Sequence, residues 1–209
     1  MPEAPRLLRL GDPVADLRAG LLRGEVAAVP TESSYALAVD PRSTAGVERI
    51  FAVKARERGK PLPVVAASLE QVMSLGVRRD DPGLRWGLRY WPAPLTVLLE
   101  VAMPLAAMAG DTRLGVRIPA HAGLRRLLGE LGIALTATSA NLSGEQPITS
   151  VDSLRHQLGG ALSWIVDDGL LPGGEPSTVV AWSPATVPSG AQAEAGRMEV
   201  LRHGAFPWY

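Results

Sequence analysis

Three observations predict an α/β fold for this chain, a twisted mixed β-sheet with flanking helices. Short apolar, β-branched runs alternate along the sequence with stretches of helical periodicity. Near the end, strand-like segments follow one another with no helix between them, which a wholly parallel sheet does not allow. Apolar residues make up 46% of the 209 positions and charged residues 20%, enough for one hydrophobic core, so residues 1–209 are assigned to a single domain.

The elements follow in order. VADLRAGLLRGE (14–25) spaces its apolar residues as a helix does and carries a glycine near its end. EVAAVP (25–30) reads as a short buried strand halted by Pro30. STAGVERIFAVKARER (43–58) opens with a Ser/Thr cap candidate and sets Val47, Ile50, Phe51 and Lys54 on one helical face. LPVVAA (62–67) is a strand, and SLEQVMSL (68–75) a short helix whose Ser68 and Gln71 fit a capping box. DDPGLRWGLRYW (80–91) is a helix with proline in its first turn. TVLLEVA (96–102) and GVRIP (115–119) are strands, and HAGLRRLLGELG (121–132) is a helix closed by glycine. IALTATSAN (133–141) begins as a strand and ends in small polar residues. SLRHQLGG (153–160) is a helix, and SWIVDDG, STVVAW and RMEVLRHG complete the strands. SPATVPSGAQAEAG (183–196) has loop composition, and the aromatic AFPWY segment either docks on the body or belongs to an interface.

Composition removes several function classes. Lys+Arg and Asp+Glu are 21 each, so no global charge argues for nucleic acid, although a local patch is compatible with the balance. The absence of cysteine excludes disulfides, thiol catalysis and thiolate-ligated zinc. His121, His156 and His203 are scattered, and no metal site is expected. MPEAPRLLRLGDP holds no apolar run of signal-peptide length, and nothing approaches the roughly 20 apolar residues that span a bilayer; a cytoplasmic protein without membrane contact is expected. The sequence has no G-x-x-x-x-G-K-[ST] loop, no strand-linked G-x-G-x-x-G and no G-x-S-x-G around Ser139, so any nucleotide chemistry lies outside those loops.

Four segments carry candidate chemistry. VKARERGKPL (53–62) places Lys54, Arg56, Arg58 and Lys60 on alternating positions; these cations either favour a helix carboxyl end or enter a cleft. PTESSY (30–35) sets small hydroxyl residues at the end of a buried strand, where α/β sheets bind ligands and where ordinary turns also use Thr and Ser. Arg117 lies in an apolar strand, which requires that it face a cleft, be paired, or point outward from an edge strand. In TATSANLSGEQP (136–147), Thr136, Thr138, Ser139, Asn141, Ser143 and Gln146 carry neutral hydrogen-bonding side chains suited to a phosphate or an adenine edge.

Together PTESSYALAVDP, KARERGKPLPVV, YWPAPLTVLL, GVRIPAH, TATSANLSGEQP, PSTVV and VLRHG resemble the YrdC-like family of threonylcarbamoyl-adenylate synthases, in family order from about residue 20 to 204. The resemblance implies a twisted mixed α/β sheet with a concave active-site face, in the short single-domain form. It implies a nucleotidyltransferase that makes threonylcarbamoyl-AMP and pyrophosphate from L-threonine, bicarbonate or CO2 and ATP, with Mg2+ accompanying the ATP. Downstream proteins then transfer the group to tRNA. The matching positions are Lys54, Arg56, Ser139 and Asn141 for catalysis. Arg56, Lys60, Arg113, Ser139, Asn141 and Arg202 match the nucleotide site, and Thr31, Ser33, Arg117, Ala137 and Ser177 the threonine site. Departures fall at Ala36, Ala38 and Ala93, where the family has glycines, and at Val65, where many members carry histidine; both imply an altered amino-acid pocket. Arg113 stands at a position often held by Thr or Ser. The alternative on the same scaffold is a weak tRNA or double-stranded RNA binder or ribosome-maturation module, with VRRDDPGLRWGLR as its patch.

Overall fold

The computed structural model describes residues 4–55, 59–184 and 196–208. Strand β1 (Arg6–Arg9) leads into helix α1 (Ala15–Leu22), which buries Leu17, Gly20 and Leu21. Strands β2 (Ala27–Pro30) and β3 (Tyr35–Ala38) follow, buried along their whole length. Helix α2 (Thr44–Val53) starts at Ser43, whose hydroxyl accepts the Gly46 N–H, and buries Val47, Ile50 and Phe51. Then come β4 (Val64–Val65), α3 (Leu69–Ser74) and α4 (Pro82–Gly87), the last capped by Asp81. Strands β5 (Leu95–Glu100) and β6 (Arg113–Arg117) precede α5 (Ala122–Leu131), which Gly132 closes in the left-handed conformation. The two-residue strands β7 (Leu135–Thr136) and β8 (Thr138–Ser139), helix α6 (Val151–Leu158), and strands β9 (Trp164–Asp167), β10 (Thr178–Ser183) and β11 (Arg197–Arg202) complete the order.

The strands form two mixed sheets with flanking helices rather than the one sheet the sequence suggested. Their orders are β1-β9-β2-β3-β8 and β11-β10-β5-β6-β4-β7. The chain crosses between them at Ala137. On one side β7 pairs with β4, and on the other β8 pairs with β3. Ala137 N–H bonds Pro63 O at 2.8 Å, and Thr136 ties back to Val39 through N–H and hydroxyl at 2.9 and 3.0 Å. This crossing stitches the sheets together at one seam.

The burial pattern follows the strand period of two. In β2 and β3, Ala28, Tyr35 and Leu37 join one core cluster while Ala27, Val29, Ala36 and Ala38 join the other. Both faces of that sheet are covered, which is why its strands read as continuous apolar runs. In the six-stranded sheet, Leu95, Val97, Leu99, Leu114 and Val116 enter the core, whereas Thr96, Leu98, Gly115 and Arg117 line an open concavity.

Two further differences from the sequence reading, and one alternative it left open, bear on the site. Helix α2 ends at Val53 rather than at residue 58: Lys54 is its cap and Ala55 turns left-handed at φ 46°. Strands β1 and β3, which hydrophobic pattern alone did not single out, take up RLLR and YALA. The aromatic segment docks on the body, with Phe206 and Trp208 against the core and their rings 5.5 Å from Tyr90 and 5.4 Å from Trp86. Of the loop 183–196, residues 185–195 lie outside the described residues. Among the described residues no helix is long and apolar enough to cross a membrane. Because Ser43 caps the helix that delivers Lys54, Ser43→Ala is expected to lower stability by about 1 kcal/mol, read from the urea midpoint at unchanged slope.

A candidate active-site cleft at the seam of the sheets

A cleft of about 560 Å³ opens where the sheets meet, and both contribute walls. The β2–β3 turn supplies Thr31 and Ser33. That turn is fixed from within: Thr31 N–H and hydroxyl both reach Ser34 O, at 3.1 and 2.7 Å, and Ser33 O accepts the Gly173 N–H at 2.8 Å.

The 139–141 turn is built around Lys54, which is only 3% exposed. Its ammonium donates to Ser139 O at 2.6 Å and to Asn141 O and Oδ1, each at 3.0 Å. Lys54 O in return accepts the Ser143 N–H at 3.0 Å. Ser139 Oγ donates to Asn141 Oδ1 at 2.6 Å, and Asn141 Nδ2 donates to Leu142 O and Glu145 O. A buried cation bonded to two carbonyls and an amide oxygen is satisfied, and the loop it holds is correspondingly rigid.

Arg117 sits in β6, an interior strand of its sheet, so an outward-facing edge position does not apply. Its Nη1 donates to Glu32 Oε2 at 2.8 Å, while Glu32 Oε1 accepts the Ala120 N–H at 2.7 Å. Burial pushes the Arg117 guanidinium below its ordinary pKa, and the charge and hydrogen bond of Glu32 oppose that push. Across the cleft, Arg202 donates to Ser177 O at 2.7 and 3.3 Å and to Ser177 Oγ at 3.2 Å. Ser177 Oγ lies 2.9 Å from Thr96 Oγ1. Burial, and then the charge of Arg117, push the Arg202 guanidinium down as well. Both remain protonated, as arginine does in proteins. Two guanidiniums and Lys60 therefore share the cleft, and among the described residues no carboxylate lines it. Such a surplus of positive charge suits an anion.

The structure brings Thr31, Ser33, Lys54, Lys60, Arg117, Ala137, Ser139, Asn141, Ser177 and Arg202 to this cleft. Arg56 lies outside the described residues. Lys54 comes to the cleft from the end of α2, as its cap, and underlies the turn, whereas Lys60 follows Gly59 in non-helical chain. Arg113 is at the far end of β6, in an adjoining cavity of about 1010 Å³ that shares Leu98 with the cleft. Ala36 and Ala38 occupy regular β3 ladder positions without positive φ, so alanine fits both. Val65 is buried in the second core cluster. Glu32 escaped the sequence reading, although it stands between Thr31 and Ser33; a carboxylate on the hydroxyl turn was the available signal for a partner to Arg117. Among the described residues no group of three or more His, Asp or Glu is placed to hold a metal ion. The described lining offers hydroxyls, carbonyls and an amide but no carboxylate, so it supplies no acidic ligand to a divalent cation.

The site is thus an α/β cleft with two guanidiniums and a lysine-held hydroxyl-and-amide turn in its lining, and comparison with known families specifies the class. The chain belongs to the Sua5/YciO/YrdC family, whose model, described as telomere recombination, matches residues 20–204. It is 31% identical over 162 residues to the threonylcarbamoyl-AMP synthase of Idiomarina loihiensis, covering 74% of this chain and 86% of that protein. With the threonylcarbamoyl-AMP synthase of Bacillus subtilis it shares 34% over 178 residues, 83% of this chain but 51% of the relative, so it spans about half that protein's length. The crystal structure of P. abyssi Sua5 complexed with L-threonine superposes with a TM-score of 0.78 at 27% identity, over 98% of this chain and 58% of that one.

Removing the ammonium leaves buried acceptors unpaired. Lys54→Met is accordingly expected to lower stability by about 3 kcal/mol in urea unfolding, well beyond a surface lysine control.

Proposed function

We propose that this protein is an L-threonylcarbamoyladenylate synthase, a soluble cytoplasmic nucleotidyltransferase acting on L-threonine, bicarbonate or CO2 and ATP. The observation that carries the reading is the convergence of Arg117, Arg202 and Lys60 with the Ser139–Asn141 turn in one cleft. The threonine carboxylate pairs with Arg117, whose guanidinium is held by Glu32 on one side and borders the cleft. Thr31, Ser33, Ser177 and the backbone at Ala137 surround the amino acid. Its amine adds to CO2 and loses a proton, giving a carbamate. A carbamate oxygen attacks the α-phosphorus of ATP, and the bond to the β-phosphate oxygen breaks as pyrophosphate leaves. The chain's contribution is positioning and charge, with no covalent enzyme intermediate.

Ser139 and Asn141, set by Lys54, meet the reacting phosphate, and Arg56 is assigned to the same step by the family pattern alone. Lys60 and Arg202 meet the remaining phosphates, and Mg2+ accompanies them as part of the substrate. The nucleoside extends over Leu98 toward Arg113, since that leucine borders both cavities. The product passes to the proteins that modify tRNA.

Incubation with ATP, labelled bicarbonate and a panel of amino acids tests the reading. Pyrophosphate release requiring both threonine and bicarbonate is expected, together with a labelled threonylcarbamoyl-AMP. Lys54→Ala and Arg56→Ala should each lower turnover at least about tenfold, roughly 1.4 kcal/mol of barrier. Arg117→Lys keeps the cation but loses the planar fork, so the KM for threonine should rise about tenfold with little change in kcat. Salt-dependent RNA binding that survives loss of Lys54, without pyrophosphate release, would instead establish the RNA-binding alternative.

A further inference from the structure

The cleft wall formed by Pro176, Ser177 and Arg202 is held from outside by the segment that follows β11. Thr178, fully buried, uses one hydroxyl twice: it donates to Phe206 O at 2.8 Å and accepts the Phe206 N–H at 3.2 Å. Ala205 N–H bonds Pro176 O at 2.8 Å. Gly204 lies so close to the wall that a Cβ there would overlap Pro176 O and stand 2.7 Å from Ser177 C. Beyond these contacts the segment is anchored by rings: Phe206 meets Tyr90 edge-on and Trp208 meets Trp86. Ser177, on its other side, touches Thr96 of β5.

We propose that residues 204–208 form a strap that sets the cleft wall, with Thr178 and Phe206 as positioning residues for Arg202 and Ser177. Neither touches the ligand. They act by fixing the backbone carbonyl of Ser177, which Arg202 grips with both Nε and Nη2. A displaced strap turns that carbonyl away, and the Arg202 guanidinium loses its fixed direction toward the anion. The aromatic anchors on α4 and just after it are thereby coupled to the cleft. The kinetic consequence rests on the synthase reading; the structural one does not.

Thr178→Val removes the hydroxyl at nearly constant shape, and Thr178→Ser returns it. In the Val variant, amide hydrogen exchange at 177–179 and 205–206 is expected to rise at least about tenfold. The KM for ATP should rise about tenfold with kcat within about twofold, and the Ser variant should match the parent in both. Should Thr178→Val not fold, Phe206→Ala keeps the hydroxyl and loosens the ring anchor; it should show the same changes to a smaller degree. Exchange that rises at 205–206 alone, with 177–179 and the KM for ATP at parental values, overturns the proposal. If the parent releases no threonine-dependent pyrophosphate, the synthase reading fails, and exchange at 177–179 still decides whether the strap holds the wall.

Discussion

The buried ammonium of Lys54 is the constraint around which the site is arranged. A cation enclosed to 3% exposure must find acceptors, and the chain presents them from a turn more than eighty residues away. That requirement joins the end of α2 to the 139–141 turn and, through β8, to the five-stranded sheet. Lys54 therefore does in the fold what its neighbours do in the cleft: it supplies a fixed positive charge, here spent on geometry. The hydroxyl of Ser139 and the amide of Asn141 are held by contacts within this network.

The second constraint is electrostatic. Burial, and then the charge of Arg117, push the Arg202 guanidinium down, while at Arg117 the charge and hydrogen bond of Glu32 oppose the effect of burial. Like charges gathered in one cleft repel one another and need fixed partners. The imbalance is stable because each guanidinium is tethered by its own acceptor, Glu32 on one wall and the Ser177 carbonyl on the other. The cleft's charge and its shape are thus fixed by the same contacts.

Much of this was legible in the sequence. Helix α5 shows its boundaries through His121, Gly132 and a leucine stripe that is buried as the period demands. Lys54 stands out in a run of alternating cations, Arg117 as a charge in an apolar strand and the 139–141 turn as a cluster of hydroxyls and amides, while Ser177 is marked by the family resemblance alone; all border the cleft. What was not legible depends on contacts distant in sequence. Two-residue strands such as β7 and β8 are too short to carry a period, so the crossing at Ala137 and the split into two sheets left no signature. Hydrophobic spacing continued α2 past Val53, whereas Lys54 turned the chain toward acceptors that only the folded molecule provides. Glu32 read as one polar residue of a turn, because its partner lies 85 positions further on.

The even tally of 21 basic and 21 acidic residues conceals a segregated distribution, since the described cleft lining is basic and the acids lie elsewhere. Viewed from a distance, the molecule carries no net charge. At physiological ionic strength, counterions blur exposed charges beyond about 8 Å, so an approaching anion meets the field only at the mouth. Any selection the cleft makes among anions therefore rests on local fit rather than on long-range attraction.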